Sequence, residues 1–151
     1  MANWYSADLH FGHHRIIDFC KRPFVSTAEM NATLIANLQA CVAHDDDLWI
    51  LGDFAFGRAD DTAQFESWFH SLPGRKHLII GTHDDEAVIS LPWASTEYMA
   101  EIQDGNQSLV LYHYPRSLGA AHAEVPYGPM PNGCWSWTCA PTAPHRPSQA
   151  P

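Results

Sequence analysis

The sequence contains four short apolar segments that are each followed closely by a histidine or an aspartate. The segments are 3–7, 48–51, 77–80 and 109–112, and the residues that follow them are, in chain order, Asp8 and His10, then Asp53, then His83 and Asp84, then His113. Each segment has the length and composition of a β-strand. Because ligand sites in open α/β sheets lie beyond the carboxyl ends of the strands, we expect these polar side chains to meet in the folded chain.

Helices are predicted between the strands, so the chain is expected to be an α/β domain. The predicted elements are helices at about 27–43 and 60–71, and a hairpin of strands 98–102 and 109–112. The first helix begins at a capping box formed by Ser26 and Glu29. The second ends at a Pro-Gly pair, and the hairpin is predicted to turn at Asp104-Gly105.

Length and charge limit the classes of function. The chain has 151 residues, about one domain, and its 17 acidic against 8 basic residues give a formal charge of −9. This balance disfavours a nucleic-acid partner, because phosphate backbones are neutralised by Lys and Arg. The N-terminus has no signal-peptide pattern and no segment is long and apolar enough for a membrane span. We therefore expect a cytoplasmic protein without a membrane partner, whose four cysteines are reduced.

The C-terminal part differs in composition from the rest. Seven of the eleven prolines lie between Pro126 and Pro151, and no hydrophobic periodicity survives there. We expect one domain over 1–140, well specified to about residue 116, and a disordered tail over 141–151.

Each polar motif alone is a weak indication of chemistry. Asp8 and His10 are two residues apart, which places both on one side of an extended strand end, but this spacing is common. Asp53, after Gly52, is equally compatible with a turn or a helix cap. His113 is equally compatible with an ordinary half-buried histidine.

Taken together, the order of the motifs resembles the calcineurin-like metallophosphoesterase family. The motifs are D-x-H in 6–13, G-D in 52–54, G-T-H-D in 81–84 and H-x-P in 113–115. The opening, with F-C-K-R-P-F at 19–24, is similar to that of small bacterial single-domain phosphoesterases of the family. The resemblance covers about three quarters of the chain, and it implies a four-layer α-β-β-α sandwich whose C-terminal part is truncated or altered here.

The resemblance also implies a site with two divalent metal ions that hydrolyses a phosphomonoester or phosphodiester by metal-bound hydroxide. The implied metal ligands are Asp8, His10, Asp53, Thr82 and His113, with Asp53 as the bridge. His83 would act on the substrate phosphate, and Asp84 would orient the His83 ring or be a simple turn carboxylate. His13 and Arg116 are candidate contacts to a small phosphorylated substrate. The ligand types suit Mn, Fe or Zn, with Mn the metal to expect in assays.

Two departures from the family pattern affect the implied ligands. Thr82 stands where the family has a metal-binding Asn, so that ligand is weakened. Where the family has a G-H-x-H motif, this chain has 127–133 with Pro129 and Pro131, so the C-terminal metal motif is degenerate. Point substitutions or a change of reading frame would each explain the loss. The expected function is therefore that of an enzyme with full activity or with activity impaired by the missing ligands. The alternative is a catalytically inactive binding module on the same fold.

Overall fold

A computed structural model describes residues 1–58, 60–113 and 140–141. In chain order the elements are β1 (Asn3–Ser6), α1 (His14–Phe19), α2 (Thr27–Cys41), β2 (Asp47–Leu51), α3 (Thr62–Ser71), β3 (Arg75–Ile79), α4 (Glu86–Ile89), β4 (Ser95–Glu97), β5 (Met99–Asp104), β6 (Gln107–Tyr112) and β7 (Ala140–Pro141). No helix in the described ranges has the length and apolar composition that a membrane crossing needs.

The strands form two sheets. The larger sheet has the order β4-β3-β2-β1-β7, in which β1 to β4 are mutually parallel and β7 is antiparallel to β1. Strands β5 and β6 form a separate antiparallel hairpin. The parallel strands β1, β2 and β3 therefore end at one edge of the larger sheet, where the predicted site residues follow them.

The larger sheet is covered on both faces. Leu48 and Ile50 of β2 belong to a core cluster with buried residues of α2 and α3, whereas Trp49 and Leu51 belong to a second cluster with buried residues of β5 and β6. Because β2 is buried on both faces, it is a continuous apolar run rather than an alternating one. The described residues thus form three layers: helices, parallel sheet and hairpin.

Several predicted elements are confirmed with shifted ends. The helix expected at 27–43 is Thr27–Cys41, and the Ser26 hydroxyl caps it by accepting the Glu29 N–H at 3.1 Å. The Glu29 carboxylate accepts the N–H of Val25 rather than that of Ser26, so the capping box is displaced by one residue. The hairpin is confirmed, and Gly105 at its turn has a φ of +62°.

Some elements of the structure were not predicted, and some predictions concern residues that the structure does not describe. Helices α1 and α4 and strand β4 were not expected from the sequence. The second helical layer of the four-layer sandwich has no counterpart among residues 1–58, 60–113 and 140–141, and it stays a prediction. Most of the expected tail lies outside the described residues. Cys20 is disulfide-bonded, so the expectation of reduced cysteines is wrong at that residue.

Side-chain hydrogen bonds connect the hairpin to the larger sheet. The Tyr5 hydroxyl donates to Oδ2 of Asp104 at 2.8 Å, and the Asn3 amide donates to Oδ1 of Asp104 at 3.3 Å. The indole N–H of Trp49 donates to the amide oxygen of Asn3 at 3.2 Å. These bonds fix the hairpin against β1 and β2, and hence the position of His113, which follows β6.

Arg22 holds the segment that follows β1. Its side chain is buried, and its guanidinium donates to the carbonyl oxygens of Asp8 at 2.6 Å and Leu9 at 3.1 Å. The planar guanidinium reaches both carbonyls at once, which a lysine ammonium does not do with the same geometry. Arg22 therefore sets the backbone path through the first two predicted metal ligands.

Replacing this arginine is expected to loosen that path. Arg22→Met keeps an apolar stem but leaves two buried carbonyls without their donor, at a cost of about 2 kcal/mol in unfolding free energy. Urea denaturation in the presence of chelator measures the loss. The matched control is Arg58→Met, because Arg58 is exposed and its replacement should change stability by less than about 0.5 kcal/mol. Equal denaturation midpoints for the two variants would contradict the role given to Arg22.

Candidate metal centre

Three of the predicted site residues have a left-handed backbone. Asp8, His10 and Asp53 have φ values of +53°, +51° and +54°. Non-glycine residues adopt this region rarely, and where they do so the surrounding structure must hold them. Such residues cluster at functional sites in proteins, so the backbone itself marks these positions.

The segments that follow β1 and β2 are hydrogen-bonded to each other beyond the strands. The Asp8 N–H donates to the Gly52 carbonyl at 3.1 Å, and the His10 N–H donates to the Asp53 carbonyl at 2.9 Å. The left-handed residues on the two segments are thus fixed side by side.

Asp84 holds the segments that follow β2 and β3. Its carboxylate accepts the N–H groups of Asp53 at 2.9 Å, Phe54 at 2.8 Å and Gly81 at 2.7 Å. Burial raises the pKa of Asp84, although these three N–H donors act in the opposite direction. Both carboxylate oxygens bind backbone N–H groups, and the His83 ring is hydrogen-bonded to Asp53. The geometry agrees with the turn-carboxylate alternative, and a role of Asp84 in orienting the His83 ring stays a prediction.

The close approach of these segments requires glycine at two positions. A Cβ on Gly52 would overlap Nδ1 of His113 and lie 2.7 Å from the Cα of Gly81. A Cβ on Gly81 would lie 2.5 Å from both the backbone nitrogen and Oδ1 of Asp53. The glycines of the G-D and G-T-H-D motifs therefore leave room for the site side chains themselves.

Three imidazole rings surround the carboxylate of Asp53, which is only 4% exposed. Its Oδ2 lies 3.0 Å from Nδ1 of His83, 3.4 Å from Nε2 of His10 and 3.6 Å from Nε2 of His113. Burial opposes ionisation of Asp53, but hydrogen bonds from the His83 N–H and ring, together with His113 and His10 nearby, hold its pKa below the usual range. Asp53 is therefore an ionised carboxylate at neutral pH.

Two groups of potential metal ligands share this carboxylate. One group is His10, Asp53 and His83, and the other is Asp8, Asp53 and His113, with the ligand atoms of each group within 4.8 Å of one another. Carboxylate oxygen and imidazole nitrogen are the donors that Mn, Fe and Zn accept in proteins. The donor set fits divalent cations, and Asp53 belongs to both groups. The bridging role that the resemblance implies for Asp53 stays a prediction.

A hydrogen bond fixes the tautomer of one candidate ligand. Nδ1 of His113 lies 2.8 Å from the carbonyl oxygen of Leu51, which can only accept, so Nδ1 carries the proton. In the neutral ring Nε2 then carries the lone pair, and it is the nitrogen that lies 3.6 Å from Oδ2 of Asp53. A backbone carbonyl that orients a histidine in this way is typical of metal ligands.

His13 lies beside the two ligand groups. Its Nδ1 is 3.3 Å from Nδ1 of His10, and its ring stacks on Phe56 with centroids 4.1 Å apart. Burial, and then the charges of His10 and His83, lower the pKa of His13 to about 4. The ring is therefore neutral at physiological pH.

The structure brings together most of the residues that the sequence singled out. Five of them meet at the carboxyl ends of the parallel strands, and His13 lies next to them. The five are Asp8, His10, Asp53, His83 and His113. Thr82 is exposed between Gly81 and His83, and its role as a ligand stays a prediction. Arg116, Pro129 and Pro131 lie outside the described residues.

Two residues of the site were given no function from the sequence. Arg22 lies within 19–24 without an expected role, and its neighbours Lys21 and Pro23 give no signal that its side chain is buried. Phe56 was not singled out, because hydrophobic pattern alone does not separate an exposed aromatic residue from a core one.

Comparisons with known proteins show relatives and a shared fold. No family model matches the chain. It is 38% identical over 85 residues to the Gene 66 protein of Mycobacterium phage L5, covering 56% of this chain and 41% of that protein. It is 36% identical over 78 residues to the uncharacterized protein MJ1445 of Methanocaldococcus jannaschii, covering 52% and 44%.

Longer matches extend over three quarters of the chain. The Gene 66 protein of Mycobacterium phage D29 is 29% identical over 132 residues, covering 76% of this chain and 65% of that protein. The crystal structure of a protein of unknown function, AQ665 from Aquifex aeolicus, superposes with a TM-score of 0.64 at 26% identity, covering 76% of this chain and 61% of that one. The chain thus spans between two fifths and two thirds of the length of these relatives, and its fold is similar to that of AQ665.

Proposed function

We propose that this chain is a metal-dependent phosphoesterase of the calcineurin-like metallophosphoesterase kind. The observation that carries the proposal is the buried carboxylate of Asp53, which belongs to two ligand groups at once. A carboxylate is suited to bridge two cations, because it has two oxygens and a charge that offsets their repulsion. Asp8 and His113 share one ligand group with Asp53, and His10 and His83 share the other.

Two divalent cations held by Asp8, His10, Asp53 and His113 would supply positive charge to the phosphoryl oxygens and acidify an attacking water. Mn, Fe and Zn all suit the donor set, and Mn is the metal for a first assay. The protein contributes the fixed geometry, since left-handed backbone and the bonds of Asp84 and Arg22 hold the ligands before any ion binds.

His83 is proposed to act on the substrate rather than on metal. Its Nδ1 contacts Asp53 at 3.0 Å, and its side chain is 44% exposed. With Nδ1 bound to Asp53, Nε2 is the atom available to a substrate oxygen. A proton on Nε2 would be transferred to the leaving group, a role that positioned histidines commonly have.

The substrate class proposed is a small phosphomonoester or phosphodiester. The excess of acidic residues argues against a nucleic-acid substrate that is held along its backbone. The relatives are longer than this chain and their names state no activity, so the proposal concerns the site described above.

Hydrolysis of p-nitrophenyl phosphate and bis(p-nitrophenyl) phosphate tests the reaction class. We expect release of p-nitrophenol with added Mn²⁺ and none with excess chelator. A purified, folded chain that binds metal but hydrolyses neither ester would favour the alternative, a binding module on this fold. A folded chain that binds no metal would exclude both the enzyme and a metal-bound module.

Replacement of the bridging carboxylate should remove metal and activity together. Asp53→Asn keeps the shape of the side chain but removes the charge shared by the two ligand groups, so metal content should fall and hydrolysis should decrease by about 100-fold or more. Metal analysis after dialysis and the ester assay measure the two effects. Asp45→Asn is the matched control, because Asp45 is exposed and belongs to neither group. Full activity in Asp53→Asn would exclude the bridging role.

Replacement of His83 should separate chemistry from metal binding. His83→Ala should lower turnover by about 100-fold if this residue is a general acid, with metal content nearly unchanged. His44→Ala, which changes an exposed histidine, is the control. If His83→Ala loses metal in parallel with activity, the Nδ1 of His83 is a metal ligand, as its place beside His10 and Asp53 allows.

A further inference from the structure

We propose that Phe56 is a specificity-determining residue that binds a planar ester group of the substrate, such as an aryl group or a nucleobase. The inference rests on the proposed phosphoesterase function and names the class of ester that this site prefers. The observation behind it is an exposed aromatic ring fixed at the edge of the candidate metal centre.

The position of Phe56 is set by its backbone and by its neighbour. Its N–H donates to the carbonyl oxygen of Phe11 at 2.9 Å, in the segment that follows β1. Its ring stacks on the buried His13 with an interplanar angle of 20°. A ring held in this way has fewer orientations to lose when a ligand stacks on it, so the ordering entropy of binding is smaller.

The ring is nevertheless exposed. Phe56 is 44% accessible, and among the exposed large apolar side chains of the described residues it is the one that contacts site histidines. The other such side chains are Met1, Phe19, Val25, Tyr98 and Met99. Core packing does not explain an aromatic ring that is accessible at this place.

The surroundings indicate what would cover the ring. The ring centroid of Phe56 is 6.1 Å from that of His83, and the supporting His13 is in contact with His10, a member of the ligand group around Asp53. A phosphate bound to the metal centre would therefore have its ester group within reach of Phe56. An apolar alkyl group would gain contact area there, but a planar group gains more, because it extends the existing His13–Phe56 stack.

Phosphonates test this preference without hydrolysis, because their P–C bond is not cleaved by phosphoesterases. Binding of phenyl-, cyclohexyl- and methylphosphonate to the Mn²⁺-loaded protein is measured by calorimetry. We expect phenylphosphonate to bind about tenfold more tightly than methylphosphonate, in the range of one aromatic stack, and more tightly than cyclohexylphosphonate, which has similar bulk but is not planar.

A variant at Phe56 should remove the preference for a planar group. Phe56→Leu keeps an apolar side chain without a flat face, so phenyl- and cyclohexylphosphonate should bind it with equal affinity. Phe19→Leu is the matched control, because Phe19 is exposed and stacks with Arg15 instead.

The outcomes distinguish this inference from the proposed function. If methylphosphonate binds but the wild-type protein shows no preference for the phenyl group, the role of Phe56 is wrong and the phosphoesterase proposal stands. If Phe56→Leu weakens all three phosphonates equally, Phe56 supports the metal centre and does not select the ester. If no phosphonate binds and no ester is hydrolysed with Mn²⁺, the proposed function fails, and the inference fails with it.

Discussion

The candidate centre depends on the hydrogen bonds that the Asp84 carboxylate accepts from the backbone. Three backbone N–H groups from the segments after β2 and β3 converge on this one buried side chain. Without it, these donors would be buried without acceptors, and each such group costs about 1–3 kcal/mol. The bonds also bring Gly81 against Asp53, which explains why a side chain at residue 81 would collide with the central carboxylate. The arrangement of side chains follows from this junction of backbone segments.

The fold could be predicted from sequence where pattern and local chemistry agree. The helix Thr27–Cys41 combines a capping serine with apolar residues at helical spacing, and β2 is an unbroken apolar run stopped by Gly52. Strand β4 could not be predicted, because Ser95–Glu97 is polar and short and is held by pairing with β3 rather than by its own propensity. Helix α4 likewise has four residues, too few for a periodic signal.

The composition of the site could be predicted, but its geometry could not. That Asp8 and Asp53 would meet followed from their places after neighbouring parallel strands, whereas His113 follows β6 of the separate hairpin. The left-handed backbone of Asp8, His10 and Asp53 could not be predicted, because it depends on hydrogen bonds between distant parts of the chain. The backbone N–H groups of Asp8 and His10 donate to the carbonyls of Gly52 and Asp53, and the Arg22 guanidinium donates to the Asp8 carbonyl. The structural role of Asp84 could not be predicted either, because its carboxylate oxygens accept N–H groups of Asp53 and Phe54, which are distant in sequence. Sequence pattern identified the polar residues and left open which of them bind ligand and which hold the chain.

The candidate ligands are spread along the chain from Asp8 to His113. In the unfolded chain these groups are far apart, so a cation held by several of them would bind the native state and not the unfolded state. Binding and folding are then thermodynamically linked, and an ion at 100 times its dissociation constant would add about 2.7 kcal/mol to the unfolding free energy. The melting temperature of such a protein depends on the free metal concentration around it. Depletion of metal would therefore lower the resistance of the whole domain to proteolysis, in addition to any effect on chemistry.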